Sequence, residues 1–252
     1  MKHVKDFLIK GYTIVKLGKS EKHKLDKIKK KLVLPIKSKL NLGNKDIFEN
    51  FHKAIDQKNL NQIRTNLFKK LNKKKFNIEY YNLCSNFIEP LVGTENVIQK
   101  NINLSIQLPH DSSSLLPIHS DTWAGDSPYE IVIWIPLVDC KKTQSMFILP
   151  KNSPKFKNFS KKNFRYDYEI MKFIKKDIKF INIKYGEVLI FSQNLPHGNV
   201  INTEKNTRWS LNARVKSLLS PYSRKGLLDF FDVVKILPAT EYGLDYEYPK
   251  FK

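Results

Sequence analysis

Several residue types are scarce in this sequence, and each scarcity excludes a class of protein. Cys84 and Cys140 are the two cysteines among 252 residues. Two are too few for a disulfide-stabilised secreted domain, so we expect a reducing, cytoplasmic location. No apolar run is long enough to cross a bilayer, and residues 1–7 lack the apolar stretch of a signal peptide. We therefore expect a globular protein without a membrane span.

Acidic residues and arginine are also scarce. Lysine and arginine total 45 against 24 acidic residues, which gives a net charge of +21, and five of the 45 are arginine. Such a charge suits a polyanionic partner, such as nucleic acid, a membrane surface or a phosphorylated sugar. Abundant Lys, Asn and Ile with little Arg are equally typical of compositional drift in an AT-rich genome. The basic residues are scattered, and aromatic residues do not alternate with them as in a stacking surface, which favours drift over a nucleic-acid partner.

Helical spacing of apolar residues dominates the first part of the chain. A short strand is predicted over residues 11–17, followed by a basic amphipathic helix over 21–33 that Pro35 should end. Residues 47–71 carry apolar side chains at helical spacing and predict one or two helices. No element is assigned to residues 76–87.

Strand patterns dominate the later part. Residues 103–108 alternate polar and apolar, and residues 129–137 are rich in β-branched and aromatic side chains, as in a strand buried on both faces. Residues 186–191 form a turn and a short apolar strand, and residues 207–215 alternate again. Several short strands after a helical region indicate an antiparallel β-fold with supporting helices.

The order of these elements predicts a mainly β protein with flanking helices, folded as one domain over residues 1–252. Its core should be a double-stranded β-helix of the jelly-roll or cupin type over residues 97–216. Residues 1–96 should form a helical N-terminal support, and residues 217–252 an irregular tail. The segment 156–178, rich in lysine and aromatic residues, predicts a lid or a short helix.

Three residues indicate a metal site. His119 and Asp121 are two residues apart, and His197 follows the strand at 186–191. Two imidazoles and one carboxylate on one face of a metal form the facial triad of non-haem Fe(II) oxygenases, which leaves positions open for a co-substrate and O2. A histidine near an aspartate also occurs by chance in loops, so this prediction depends on the strands that surround the motif. The triad is complete without His110, which we interpret as a loop residue.

The strand at 207–215 carries an unusual polar face. Its alternation points Arg208, Ser210, Asn212 and Arg214 to one side. Inside a barrel such a face is costly unless it binds ligands, and a guanidinium fork suits a carboxylate. The alternative is a strand with its polar side in solvent, where lysine would serve equally well. Two of five arginines within seven residues favour the first interpretation.

These motifs together resemble those of the Fe(II)/2-oxoglutarate-dependent dioxygenases. The spacing from His119 and Asp121 to His197 and, eleven residues later, Arg208 is similar to that of the phytanoyl-CoA hydroxylase-like subgroup. Within it, the sequence resembles oxygenases found sporadically in carbohydrate and aminoglycoside biosynthesis clusters. The resemblance covers about residues 100–216. The turn at 150–154 departs from the family pattern, because it lacks the family's glycine and histidine.

The resemblance implies roles for individual residues. His119, Asp121 and His197 would bind Fe(II), and Arg208 would bind the distal carboxylate of 2-oxoglutarate. The resemblance implies further co-substrate contacts by Ser210 and Trp134, although Trp134 fits a core position equally well, and substrate contacts by Arg214, Gln107 and Asn103. Arg214 could instead hold the 2-oxoglutarate carboxylate in place of Arg208, or support the site from behind.

The resemblance also implies a function, with alternatives. The expected activity is hydroxylation of a small polar molecule, such as a sugar or an anionic sugar conjugate, by O2 with 2-oxoglutarate, giving succinate and CO2. A carboxylate at Asp121 argues against a halogenase. The spacing of Arg208 and Arg214 is shared with AlkB-type nucleic-acid dealkylases, so a nucleic-acid oxygenase is one alternative. A non-catalytic jelly-roll binding module is another.

Overall fold

The structure is a computed structural model, which describes residues 1–37, 46–55, 57–73 and 75–250. The helices are α1 (Lys2–Lys10), α2 (Lys19–Lys37), α3 (Ile47–Asn50), α4 (Gln57–Leu71), α5 (Phe76–Tyr81), α6 (Ser85–Val92), α7 (Pro154–Phe159), α8 (Asp167–Ile174) and α9 (Pro238–Leu244). The strands are β1 (Tyr12–Lys16), β2 (Asn96–Gln99), β3 (Asn103–Gln107), β4 (Ile131–Pro136), β5 (Phe147–Ile148), β6 (Lys179–Phe180), β7 (Glu187–Ser192), β8 (His197–Gly198), β9 (Arg208–Ser217) and β10 (Phe231–Lys235). The prediction of a mainly β fold with flanking helices is confirmed.

Two antiparallel sheets form the core. The larger sheet has the strand order β1-β7-β4-β9-β2-β10, and β3 also pairs with β9. The smaller sheet has the order β6-β5-β8. Every residue of β4 is buried, as the apolar sequence of this strand predicts. The four strands predicted after residue 96 are all present, as β3, β4, β7 and β9.

The N-terminal helices pack against the same core as the large sheet. Leu25, Ile28, Leu32 and Ile36 form the buried face of α2 and are at most 6% exposed. The prediction that Pro35 ends this helix is wrong, because α2 continues to Lys37. The proline ring removes one backbone hydrogen bond, and burial of Ile36 in the following turn offsets that loss.

The C-terminal part of the chain is more regular than the sequence predicts. The tail expected to be irregular contains β10, which pairs with β2, and the helix α9. At the other end of the chain, β1 pairs with β7. The large sheet therefore includes strands on either side of residues 97–216. The segment predicted as a lid or a short helix contains most of α7 and all of α8.

Both cysteines are buried and free. Within the described residues, no helix is both long enough and apolar enough to cross a membrane.

Candidate metal centre

The two histidines of the predicted triad are brought together by backbone pairing. The amide nitrogen of His119 lies 2.9 Å from the carbonyl oxygen of His197, and the reverse pair is 2.8 Å apart. This bridge joins the segment that precedes Asp121 to β8 of the small sheet. The two ring centroids are consequently 4.3 Å apart. Pairing across the sheet thus places two residues 78 positions apart in the sequence side by side.

Each imidazole is oriented by a carbonyl two residues earlier in the chain. Nδ1 of His119 lies 2.8 Å from the oxygen of Pro117, and Nδ1 of His197 lies 2.8 Å from the oxygen of Leu195. A carbonyl only accepts, so each Nδ1 carries the proton and each Nε2 presents a lone pair. Burial, together with His119, lowers the pKa of His197 to about 4. His197 is therefore neutral at pH 7, as a metal ligand must be.

Asp121 completes the group at the start of a short 3-10 helix, Asp121–Ala124. One ligand atom from each of His119, Asp121 and His197 can be chosen so that all lie within 4.8 Å of one another. Burial raises the pKa of Asp121, but Arg214, His197 and His119 together outweigh this effect, and the net pKa lies below its usual value. The group thus offers two imidazole nitrogens and one carboxylate, a donor set that fits Fe(II) with further positions open.

These three residues line a cavity of about 350 Å³. The predicted site residues Asn103, Trp134, Arg208 and Arg214 also line it. The strand alternation therefore placed the polar face of β9 correctly. The remaining wall is partly apolar and partly amide or hydroxyl: Val132, Met146, Phe191, Leu115, Leu116, Ser105, Ser114, Asn199 and Asn212. This volume suits a small molecule.

Arg208 is a buried cation in the cavity wall. It is 4% exposed, its Nη2 donates to the hydroxyl of Ser105 at 3.1 Å, and its Nε has no hydrogen-bond partner. No carboxylate within the described parts of the chain forms an ion pair with it. Burial lowers the pKa of Arg208 to about 10, so the group is still charged at pH 7. A buried charge without a counter-ion is costly, and an anionic ligand would remove that cost.

Arg214 contacts the carboxylate of the candidate metal site. Its Nη2 lies 2.8 Å from Oδ1 of Asp121, and Nη1 donates to Oε1 of Gln99 at 3.4 Å. The contact with Asp121 fits support of the site from behind, and Arg214 also lines the cavity, so the predicted contacts with the co-substrate or the substrate stay predictions.

Two residues of the predicted set do not line the cavity. Gln107 is fully buried, and its Nε2 donates to the carbonyl of Val200 at 2.7 Å. Ser210 is also fully buried, and its hydroxyl has no partner in the described structure. Both lie on the expected faces of β3 and β9. Alternation assigns a face of the sheet, but it does not tell which positions on that face line a cavity.

Asn199 is a site residue that the residue types alone did not reveal. Its Oδ1 accepts from the backbone nitrogen of Leu116 at 2.6 Å, and its Nδ2 donates to the oxygen of Ser114 at 3.1 Å. It thereby holds the cavity-lining loop that precedes His119. The signal was present in the sequence His197-Gly198-Asn199, where an amide lies two residues after the second histidine of the predicted triad.

No protein-family model matches the chain, and no curated protein matches it in sequence. Solved structures do match. EctD from S. alaskensis with 2-oxoglutarate and 5-hydroxyectoine is 14% identical, with a TM-score of 0.57 over 88% of this chain and 77% of that chain. A non-haem monooxygenase described as a ThoJ-Ni complex is 12% identical, with a TM-score of 0.54 over 93% and 84%. HygX from Streptomyces hygroscopicus with nickel and 2-oxoglutarate is 11% identical, with a TM-score of 0.53 over 92% and 97%.

At these identities the likeness concerns the fold. The chain therefore has the antiparallel jelly-roll fold of these solved structures, which bind nickel, 2-oxoglutarate or both.

Proposed function

We propose that the protein is a non-haem Fe(II)- and 2-oxoglutarate-dependent oxygenase. One observation carries the proposal: two imidazoles and a carboxylate converge on a cavity whose wall holds a buried arginine that has no acidic partner within the described residues. The triad offers a site for the metal, and Arg208 offers a site for a carboxylate. Both are needed by a co-substrate that chelates iron at one end and carries a second carboxylate at the other.

The residues of the site have separate tasks in this proposal. His119, Asp121 and His197 hold one face of the metal, with each imidazole oriented by its carbonyl. Arg208 binds and orients the distal carboxylate of 2-oxoglutarate, and Ser105 keeps its guanidinium in place. Bound Fe(II) and 2-oxoglutarate would supply the oxidation of a C–H bond by O2, with succinate and CO2 as co-products.

Apolar side chains separate this chemistry from water. Val132, Met146, Phe191 and Trp134 are all at most 6% exposed and line the cavity. A cavity wall of apolar side chains excludes water and thereby strengthens the attraction between Arg208 and a bound carboxylate. Trp134 therefore contributes to the co-substrate pocket in the proposal.

We propose a small polar substrate, such as a sugar or an anionic sugar conjugate, and hydroxylation as the reaction. The cavity volume of about 350 Å³ supports a small molecule, and the amides of Asn103, Asn199 and Asn212 offer hydrogen bonds to hydroxyl groups. Asn103 already donates to Asn212 at 3.0 Å across the strands. The spacing from His197 to Arg208 supports the phytanoyl-CoA hydroxylase-like subgroup, and two free cysteines support a cytoplasmic location.

The distribution of charge supports a small molecule over nucleic acid. Residues 101–140, which include His119, Asp121 and the loop at the cavity, contain no lysine or arginine. A nucleic-acid channel needs a basic track that leads to the reacting atoms. The segment nearest to the metal site in the sequence lacks one, although the whole chain carries a charge of +21.

An anaerobic titration tests the proposal. Adding Fe(II) and then 2-oxoglutarate to the apoprotein should produce the visible metal-to-ligand charge-transfer band of a chelated 2-oxo acid. Arg208→Ala should still bind Fe(II) but need a higher 2-oxoglutarate concentration for the same band. Loss of a charged hydrogen bond of about 1.5–3 kcal/mol corresponds to a Kd raised about 10- to 100-fold.

Arg165→Ala is the matched control, because it removes one guanidinium from an exposed position and should leave the titration unchanged. A wild-type protein that binds Fe(II) but shows no band would contradict the 2-oxoglutarate assignment. A protein that binds neither would support the non-catalytic jelly-roll module.

A further inference from the structure

A buried carboxylate behind the metal centre is surrounded by cations. Asp126 is 5% exposed, and Nε of Arg224 donates to its Oδ1 at 3.0 Å. Lys225 contacts its other oxygen, and Nε of Arg214 lies 3.8 Å from that same oxygen. These cations are shared with other acids, because Arg214 also pairs with Asp121 and the buried Glu130 interacts with Asp126, Lys225 and Arg214. Asp126 therefore connects two parts of the chain, β9 through Arg214 and the segment 221–225 through Arg224 and Lys225.

Arg214 connects this carboxylate to the metal-binding one. Its Nη2 lies 2.8 Å from Oδ1 of Asp121, and its Nε faces Asp126. The contact with Asp126 is an ion pair without a hydrogen bond, since Nε of Arg214 has no hydrogen-bond partner within the described residues. Asp126 shares the positive charge of this guanidinium. Without Asp126, Arg214 would pair with Asp121 alone and compete more strongly with a metal for that carboxylate.

Short hydrogen bonds fix the C-terminal segment 221–225 beside Asp126. The hydroxyl of Ser127 donates to the oxygen of Pro221 at 2.6 Å, and the hydroxyl of Ser223 donates to the oxygen of Gly125 at 2.6 Å. These two bonds involve the residues on either side of Asp126. They align the segment so that Arg224 and Lys225 reach the carboxylate.

We infer that Asp126, anchored by Arg224 and Lys225, is a positioning residue for the metal centre. It holds Arg214 so that Asp121 keeps the orientation in which it can bind metal. The inference rests on the proposed function, because it assumes that Asp121 is a metal ligand. It assigns a task to the segment 221–225, which no part of the proposed chemistry uses.

The experiment measures Co(II) binding to the full-length protein by visible absorption, with the thermal unfolding midpoint of each apoprotein as the check on folding. Asp126→Asn should weaken Co(II) binding about tenfold, as expected when a residue that supports a ligand is removed. Glu89→Gln is the matched control. It removes one carboxylate that also pairs with a C-terminal lysine, Lys235, at 3.1 Å, and should leave Co(II) binding unchanged.

A double variant separates positioning from simple charge. Arg224→Gln with Lys225→Gln removes two positive charges near the metal, so charge alone predicts tighter Co(II) binding. Positioning predicts weaker binding, about threefold, because Asp126 loses its anchors. Tighter or unchanged Co(II) binding by the folded double variant would overturn the inference. This test remains valid if the Asp126→Asn variant does not fold. Absence of Co(II) binding by the wild type would instead overturn the metal centre, and the inference with it.

Discussion

Gly198 stands directly after the distal histidine and against the backbone that leads to His119. A Cβ atom at this position would lie 2.8 Å from the carbonyl oxygen of Leu116, 3.0 Å from Cζ of Phe147 and 3.1 Å from the oxygen of Pro117. Two of these three neighbours are backbone atoms that cannot rotate away. Glycine is needed here for close approach, because the two histidine-bearing segments pair only if their backbones come together.

At the residue scale, we therefore predict that Gly198→Ala separates the two histidines. The free energy of unfolding should fall by about 1–3 kcal/mol from overpacking, and Co(II) affinity should fall with it. Chemical denaturation and the Co(II) titration measure the two effects. Gly243→Ala is the control, since a Cβ there meets no atom within 4 Å and alanine favours the helix α9. A Gly198→Ala protein as stable as the wild type would refute this packing argument.

At the scale of elements, a single tyrosine anchors α5 to the large sheet. Tyr80 is fully buried, and its hydroxyl lies 3.0 Å from the oxygen of Ile133 on β4 and 3.1 Å from the oxygen of Leu211 on β9. Burial raises the pKa of Tyr80 well above its usual value, so the hydroxyl keeps its proton and donates. The helix that the sequence left unassigned is thus tied to the two strands at the centre of the sheet.

Tyr80→Phe should lower the free energy of unfolding by about 1–2 kcal/mol, because two buried carbonyls lose their donor while the packing is kept. Denaturant unfolding measures the change. Tyr248→Phe removes the same hydroxyl from a residue that is 84% exposed and should have no effect. Equal stabilities of the two variants would show that Tyr80 contributes through its ring alone.

At the scale of the whole molecule, the net charge of +21 acts at long range, whereas the site depends on a few local charges. This net charge attracts polyanions independently of the chemistry at the candidate site. If the charge reflects compositional drift, binding to DNA should be independent of sequence and should not involve the cavity.

We predict that duplex DNA binds at low salt and that its affinity falls at least about 1000-fold between about 50 and 200 mM salt. Saturating DNA should leave the 2-oxoglutarate charge-transfer band unchanged. Fluorescence anisotropy and the anaerobic titration measure the two effects. A single-stranded DNA that binds tightly at the higher salt and shifts the band would favour the nucleic-acid oxygenase over the small-molecule enzyme.

The sequence by itself determined five strands of the two sheets, β1, β3, β4, β7 and β9, and the candidate ligands. Alternation along residues 207–215 predicted which face of β9 carries Arg208 and Arg214, because successive side chains of a strand point to opposite sides. The residue types at His119, Asp121 and His197 predicted a candidate metal site, because two imidazoles and one carboxylate are the donor set of a facial triad.

Only the tertiary structure decided what those side chains touch. Gln107 and Ser210 lie on the predicted faces but away from the cavity, because local alternation says nothing of which segment covers a position. Arg214 meets Asp121 and Asp126 across about 90 residues of chain. Contacts of this kind depend on strand register and on the path of distant segments. Those are set by the packing of the whole chain and not by any local pattern.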